Sequence, residues 1–152
     1  CAEGALQEPL LYLSLYFKAH RDDYYNHLQN IRENGDWEGW LKFFLRGIHE
    51  TADQAVHTAK RLVQLFEDDR KKIQPVGKAA GSVLRVHHVL QQSPIISIKA
   101  AADKTALTFP TVKTSFDKLE QLGMVSLLPK TRRSKLYSYT QYIGILNQGT
   151  EL

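Results

Sequence analysis

Methionine and cysteine are nearly missing from this chain of 152 residues, with one of each: Met124, and Cys1 at the first position. A single cysteine cannot close an internal disulfide, so the fold must rest on packing, and a reducing compartment suits it. Proline is sparse, at five residues, and neither low-complexity segments nor internal repeats interrupt the chain. No apolar run approaches the roughly 20 residues that span a bilayer, and no signal peptide is visible. These absences exclude a disulfide-stapled secreted scaffold and a helical membrane protein, and predict a cytoplasmic, soluble chain without a membrane partner. Residue 1 is not methionine, so the chain is read as a piece of something longer.

What is present is a globular composition. Apolar residues make up 43% and charged residues 24%, enough for a core and against disorder. The formal charge of +4 is unevenly placed. Residues 1–80 hold 11 Lys/Arg and 12 Asp/Glu, whereas residues 81–152 hold 9 and 4. The basic excess therefore belongs to the second half, as a surface meeting phosphates would require.

Two helical blocks open the chain. The first is expected from about Ser14 to Arg32, broken near His20-Arg21, with Leu15, Tyr24, Tyr25, Leu28 and Ile31 as its apolar face. Asn34-Gly35-Asp36 reads as a turn, and Asp36 can cap the next helix. Leu41, Leu45, Ile48, Ala52, Ala55, Ala59, Leu62 and Phe66 then alternate by four and three, a heptad pattern. It predicts a helix from Trp37 to about Ile73, roughly 55 Å long at 1.5 Å per residue, or one broken near Gly47 or Thr58. Such a helix bridges two domains, or packs on a helix outside this chain or from a second copy. Trp37 and Trp40 are expected to anchor it in the core. Pro75 to Gly81 reads as a linker.

The second half reads as a winged helix-turn-helix. Ser82 to Gln91 forms a first helix, and Ile95-Ile96 a short strand able to pair with the wing. Ser97 caps a second helix with Ile98, Ala101 and Ala102 inward. Thr105 to Thr108 forms the turn, and Thr108 caps a third helix that accepts Pro110 in its first turn. Val112, Phe116 and Leu119 face inward there, with Thr111, Thr114, Ser115 and Lys118 outward. Gly123 ends that helix. Val125 and Leu127 pair with Tyr137 and Tyr139 around a basic tip, and Gln141 to Leu146 closes the fold. In this fold the third helix meets the major groove and the wing meets phosphates. The candidate DNA-binding residues are therefore Thr111, Thr114, Ser115, Lys118, Lys130, Arg132, Arg133 and Lys135. Thr and Ser in place of Arg, Asn or Gln imply weak base specificity. The same surface equally suits a protein partner or dimerisation.

Metal and nucleophile chemistry find no support. His87 and His88 are adjacent and diverge on a helix, and His49 and His57 lack ligand spacing, so all are read as surface residues. Glu67-Asp68-Asp69 followed by Arg70-Lys71-Lys72 reads as a mixed charge run near a helix end, its basic half suiting the negative C-terminal dipole. Cys1 has no evident partner base.

The stretches Pro9 to Phe17, Arg21 to Gln29 and Gly35 to Leu45, together with the long helix and winged module behind them, resemble the region after the catalytic motif of Fic/Doc-family proteins. The resemblance implies an enzyme that transfers AMP from ATP, with Mg, to a hydroxyl of a target protein. The family signature H-P-F-x-x-G-N-G-R-x-x-R is not in this chain, where no histidine is followed by Pro-Phe. The chain is accordingly expected to be a C-terminal scaffold or regulatory part, inactive alone, divided into 1–78 (helices of a Fic-like domain) and 79–152 (winged helix-turn-helix). In the family the second tyrosine of R-x-x-Y-Y-x-x-L-Q lines the adenine pocket, which implies a nucleotide-binding role for Tyr25. Arg32 stands where some relatives place a nucleotide-contacting asparagine. The expected fold class is mainly α: a helical bundle remnant with a long helix, linked to a C-terminal α+β winged helix-turn-helix.

Overall fold

The computed structural model describes residues 9–129 and 135–148. The fold is mainly α with one small antiparallel sheet. Its contacts divide it into two compact units, the first centred on residues 1–60 and the second on 61–146.

The first unit holds α1 (Pro9–Ala19), α2 (Arg21–Asn34) and the first part of α3 (Trp37–Ile73). The chain bends at His20, between α1 and α2, where the expected break lies. Gly35 ends α2 in the left-handed conformation (φ 69°), and its N–H closes onto the Ile31 carbonyl at 3.0 Å. Asp36 Oδ1 then accepts the Gly39 N–H at 2.9 Å and starts α3. The helix runs unbroken to Ile73, through both Gly47 and Thr58.

The face of α3 that packs in this unit is not the heptad face. Phe43, Gly47 and Thr51 are buried, four apart and so stacked on one side. Rings fill the space beside them: Phe17 lies 5.9 Å from Phe43 and 6.1 Å from Phe44, and Tyr24 lies 5.6 Å from Trp40. Gly47 is required, because a Cβ there would sit 2.7 Å from the Tyr16 ring. Leu41, Leu45, Ile48 and Val56 are instead exposed. Trp37, expected in the core, is also exposed, at 62%. Aromatic side chains each bury 150–250 Å² and offer stacking geometry, so the aromatic face outcompetes the aliphatic one inside this chain.

The second unit begins within α3. Leu65, Phe66 and Ile73 pack into its core, so it starts before the Pro75–Gly81 punctuation. A 3₁₀ turn, Gln74–Ala79, contains Gly77 at φ 86°. There follow α4 (Ala80–Gln92), β1 (Ile95–Ser97), α5 (Ile98–Thr105), α6 (Phe109–Gln121), β2 (Val125–Leu127), β3 (Leu136–Tyr139) and α7 (Thr140–Asn147). The strands lie in the order β1-β3-β2, both pairings antiparallel, with Ile96 opposite Tyr137 and Val125 opposite Tyr139. Three helices with a strand between the first two, then a hairpin that recruits that strand, make a winged helix-turn-helix.

The local signals behave as their chemistry requires. Ser97 Oγ accepts the Ala100 N–H at 3.2 Å, and Thr108 Oγ1 accepts that of Thr111 at 3.4 Å. Gly123 (φ 71°) ends α6 in a Schellman arrangement, its N–H on Glu120 O and the Met124 N–H on Leu119 O. Val112, Phe116 and Leu119 are fully buried, and the Phe116 ring stacks on Tyr137 at 4.4 Å. Leu127 is exposed, whereas Val125 is buried, because the edge strand β2 ends there.

Candidate functional site

The outward face of α6 is narrower than its sequence suggests. Thr114 is exposed, and Lys118 is half-buried with its Nζ on Gln121 Oε1 at 3.2 Å. Thr111 is also half-buried, and its hydroxyl pairs with that of Thr108 at 2.8 Å. Ser115 does not face outward: it is 1% exposed, and its hydroxyl donates to the Thr111 carbonyl at 2.9 Å. It lies beside Phe116 on the inner side, and donation to the carbonyl four residues back lets a small hydroxyl be buried at little cost. Lys113, next to Thr114, is exposed and enlarges the outward basic surface. It follows from the same helical spacing. On the wing, Lys135 is exposed, and Lys130, Arg132 and Arg133 lie outside the described residues.

On α2 the two adjacent tyrosines part company. Tyr24 is half-buried, against Phe17 at 5.2 Å and Trp40 at 5.6 Å. Tyr25 is 56% exposed and so leaves the apolar face assigned to it. The Arg21 guanidinium lies over its ring at 5.6 Å, a cation–π contact that orients the ring. Arg32, two turns further along, is exposed as well. Arg21, Tyr25 and Arg32 share one side of α2 by helical spacing. A hollow of about 370 Å³ lined by Asp23, His27, Gly39, Lys42, Phe43 and Arg46 uses another side of the helix.

The densest polar chemistry of the second unit went unread in the sequence. Asp69 is 1% exposed, His87 2% and Tyr139 fully buried. The Tyr139 hydroxyl donates to Asp69 Oδ2 at 2.7 Å, and Lys72 Nζ donates to Asp69 Oδ1 at 2.9 Å. His87 Nε2 lies 3.0 Å from the Tyr139 oxygen, and the Gln91 amide lies 3.3 Å from His87 Nδ1. One proton arrangement satisfies the whole chain: Gln91 to Nδ1, Nε2–H to Tyr139, Tyr139 to Asp69. It requires neutral His87, and burial indeed lowers the pKa of that ring below its ordinary 6.5, against the opposing pull of Asp69. Burial first, then the bond to Asp69, pushes the Tyr139 phenol far above its ordinary 10.0. His87 is thus not a surface histidine, and Asp69 alone of its charge run is buried. Both turn inward because each finds a hydrogen-bonding partner on another element. With Asp69, His87 and Tyr139 buried and mutually satisfied, the network holds α3, α4 and β3 together rather than presenting a reactive group.

Among the described residues, no group of three or more His, Cys, Asp and Glu could hold a metal ion. No helix among them is long and apolar enough to cross a membrane. No protein-family model matches the chain.

Proposed function

We propose that this chain is the C-terminal scaffold and regulatory part of a Fic-type protein adenylyltransferase, one that moves AMP from ATP to a target hydroxyl. The reading rests on the resemblance of Pro9–Leu45 to that family. The observation that carries it is Tyr25, an aromatic residue left open to solvent beside a packed twin. A tyrosine kept only for packing would be at least half-buried, as Tyr24 is. Tyr25 offers a ring face to adenine, and Arg32, on the same side of α2, offers a cation. The histidine base and the phosphate-binding glycines belong to the signature that this sequence lacks, and ATP with Mg would be held largely by that part. The chain alone therefore transfers no AMP. The test joins it to a segment bearing the signature and measures ATP affinity: Tyr25→Ala should weaken it about tenfold, and unchanged affinity would remove Tyr25 from the site. Transfer of labelled AMP by the isolated chain would overturn the reading as a whole.

A second reading, DNA binding by the winged unit, is favoured by Lys113 and Thr114 side by side on the exposed face of α6. The basic excess of residues 81–152 supports it too. Fluorescence anisotropy with duplex DNA at low salt tests it. Micromolar binding with a steep salt dependence is expected, and Lys113→Ala should reduce that dependence by about one phosphate contact. The absence of binding to any duplex would leave the same face to a protein partner.

A further inference from the structure

Between α4 and α5 lies an open cleft of about 310 Å³ that neither reading uses, lined by Leu84, Arg85, His88, Val89, Lys104 and Thr105. Four of these residues come from one side of α4, the helical neighbours i, i+1, i+4 and i+5. The other two come from the last turn of α5. Leu84 and Val89 form an apolar floor, Val89 being buried and Leu84 half-buried. Arg85, His88 and Lys104 supply the nitrogen donors, and among the described residues no carboxylate lines the cleft.

These side chains are held in place. Arg85 donates through Nη2 to the Thr105 carbonyl. Lys104 Nζ donates to Ser93 Oγ at 2.7 Å, and the Gln92 amide lies 3.3 Å from His88 Nε2. A guanidinium has five N–H donors and an ammonium three, so each keeps donors beyond its tether. Elsewhere on the chain Lys42, Lys71 and Lys72 are paired with Glu38, Asp68 and Asp69. Among the described residues neither Arg85 nor Lys104 has an acidic partner. Tethered side chains lose less conformational entropy when a ligand arrives.

We infer that this cleft binds a small amphipathic anion with a single acidic head, its apolar body on Leu84 and Val89 and its carboxylate or phosphate head at the Arg85–Lys104 rim. The volume sits at the lower end of ligand pockets, so it takes a single-ring acid rather than a dinucleotide.

The experiment is an amide NMR titration of the full chain with four probes: benzoate, phenyl phosphate, inorganic phosphate and benzyl alcohol. Benzoate or phenyl phosphate should shift the amides of residues 84–89 and 104–105 saturably at millimolar concentration, and the tighter of the two identifies the head group. Benzyl alcohol, without the charge, and inorganic phosphate, without the apolar body, should each bind about tenfold more weakly. Lys104→Gln removes the charge while keeping a donor for Ser93, and should weaken binding about fivefold without altering the thermal midpoint. Arg85→Gln should do the same to affinity. Three results would each overturn the inference: no saturable shift at about 20 mM of either acid, equal binding of benzyl alcohol or inorganic phosphate, or full affinity in Lys104→Gln.

Discussion

Tyr139 makes two hydrogen bonds at full burial, one to a buried carboxylate and one to a buried imidazole. Removing its hydroxyl leaves Asp69 dependent on Lys72 alone and leaves the His87 Nε2–H without an acceptor. Tyr139→Phe should therefore lower unfolding free energy by about 1–3 kcal/mol, measured as a shift of the urea midpoint. His87 adds a pH dependence whose sign follows from its lowered pKa. The unfolded chain binds that proton more readily than the folded one. The stabilisation is thus complete above about pH 6.5 and declines as pH falls through the lowered folded value. Stability measured from pH 7.5 to 5 should fall for the natural chain and fall less steeply for His87→Gln, which cannot take the proton. None of this was legible in the sequence. The two bonds of Tyr139 join residues 52 and 70 positions apart, and no local pattern marks such partners, so Asp69 looked like one more acid in a charge run.

At the scale of elements the sequence was far more transparent. Caps are read from neighbours three or four positions away, and Ser97, Thr108, Asp36, Gly35 and Gly123 all sit at the helix ends where their chemistry puts them. Ala106 is the exception among turn residues. It holds φ 53° at the end of α5 with a Cβ that disfavours that region. Ala106→Gly should raise stability by about 0.5–1 kcal/mol, read as a higher thermal midpoint. The face that α3 buries within its own unit went unread for a different reason. Both its aliphatic and its aromatic stripe have helical spacing, and periodicity alone does not say which one a neighbour covers. The structure turns Phe43, Gly47 and Thr51 inward. Gly47→Ala should cost about 1–3 kcal/mol, because its methyl meets the Tyr16 ring; far-UV circular dichroism during thermal unfolding checks it.

For the whole molecule, the winged helix-turn-helix was legible because each of its elements carries a local signature and the hairpin register follows from alternation. The candidate site was legible only in part: Thr114 is open as the spacing asks, Tyr25 is open although the spacing put it on the apolar face, Ser115 is buried, and the cleft between α4 and α5 left no mark in the sequence. The place where the second unit begins was hidden too, since Pro75 and Gly77 advertise a hinge that the packing ignores. Ile73 is fully buried in the core of that unit, and Asp69 holds the Tyr139 hydroxyl. A polypeptide of residues 61–148 should therefore melt as one cooperative transition, and one of residues 79–152 should not, as differential scanning calorimetry would report. Anyone grafting the winged unit onto another protein has to cut in the middle of a regular helix, near Lys60. A recombination event at the glycine-marked joint would deliver a fold shorn of the strut that its last tyrosine leans on.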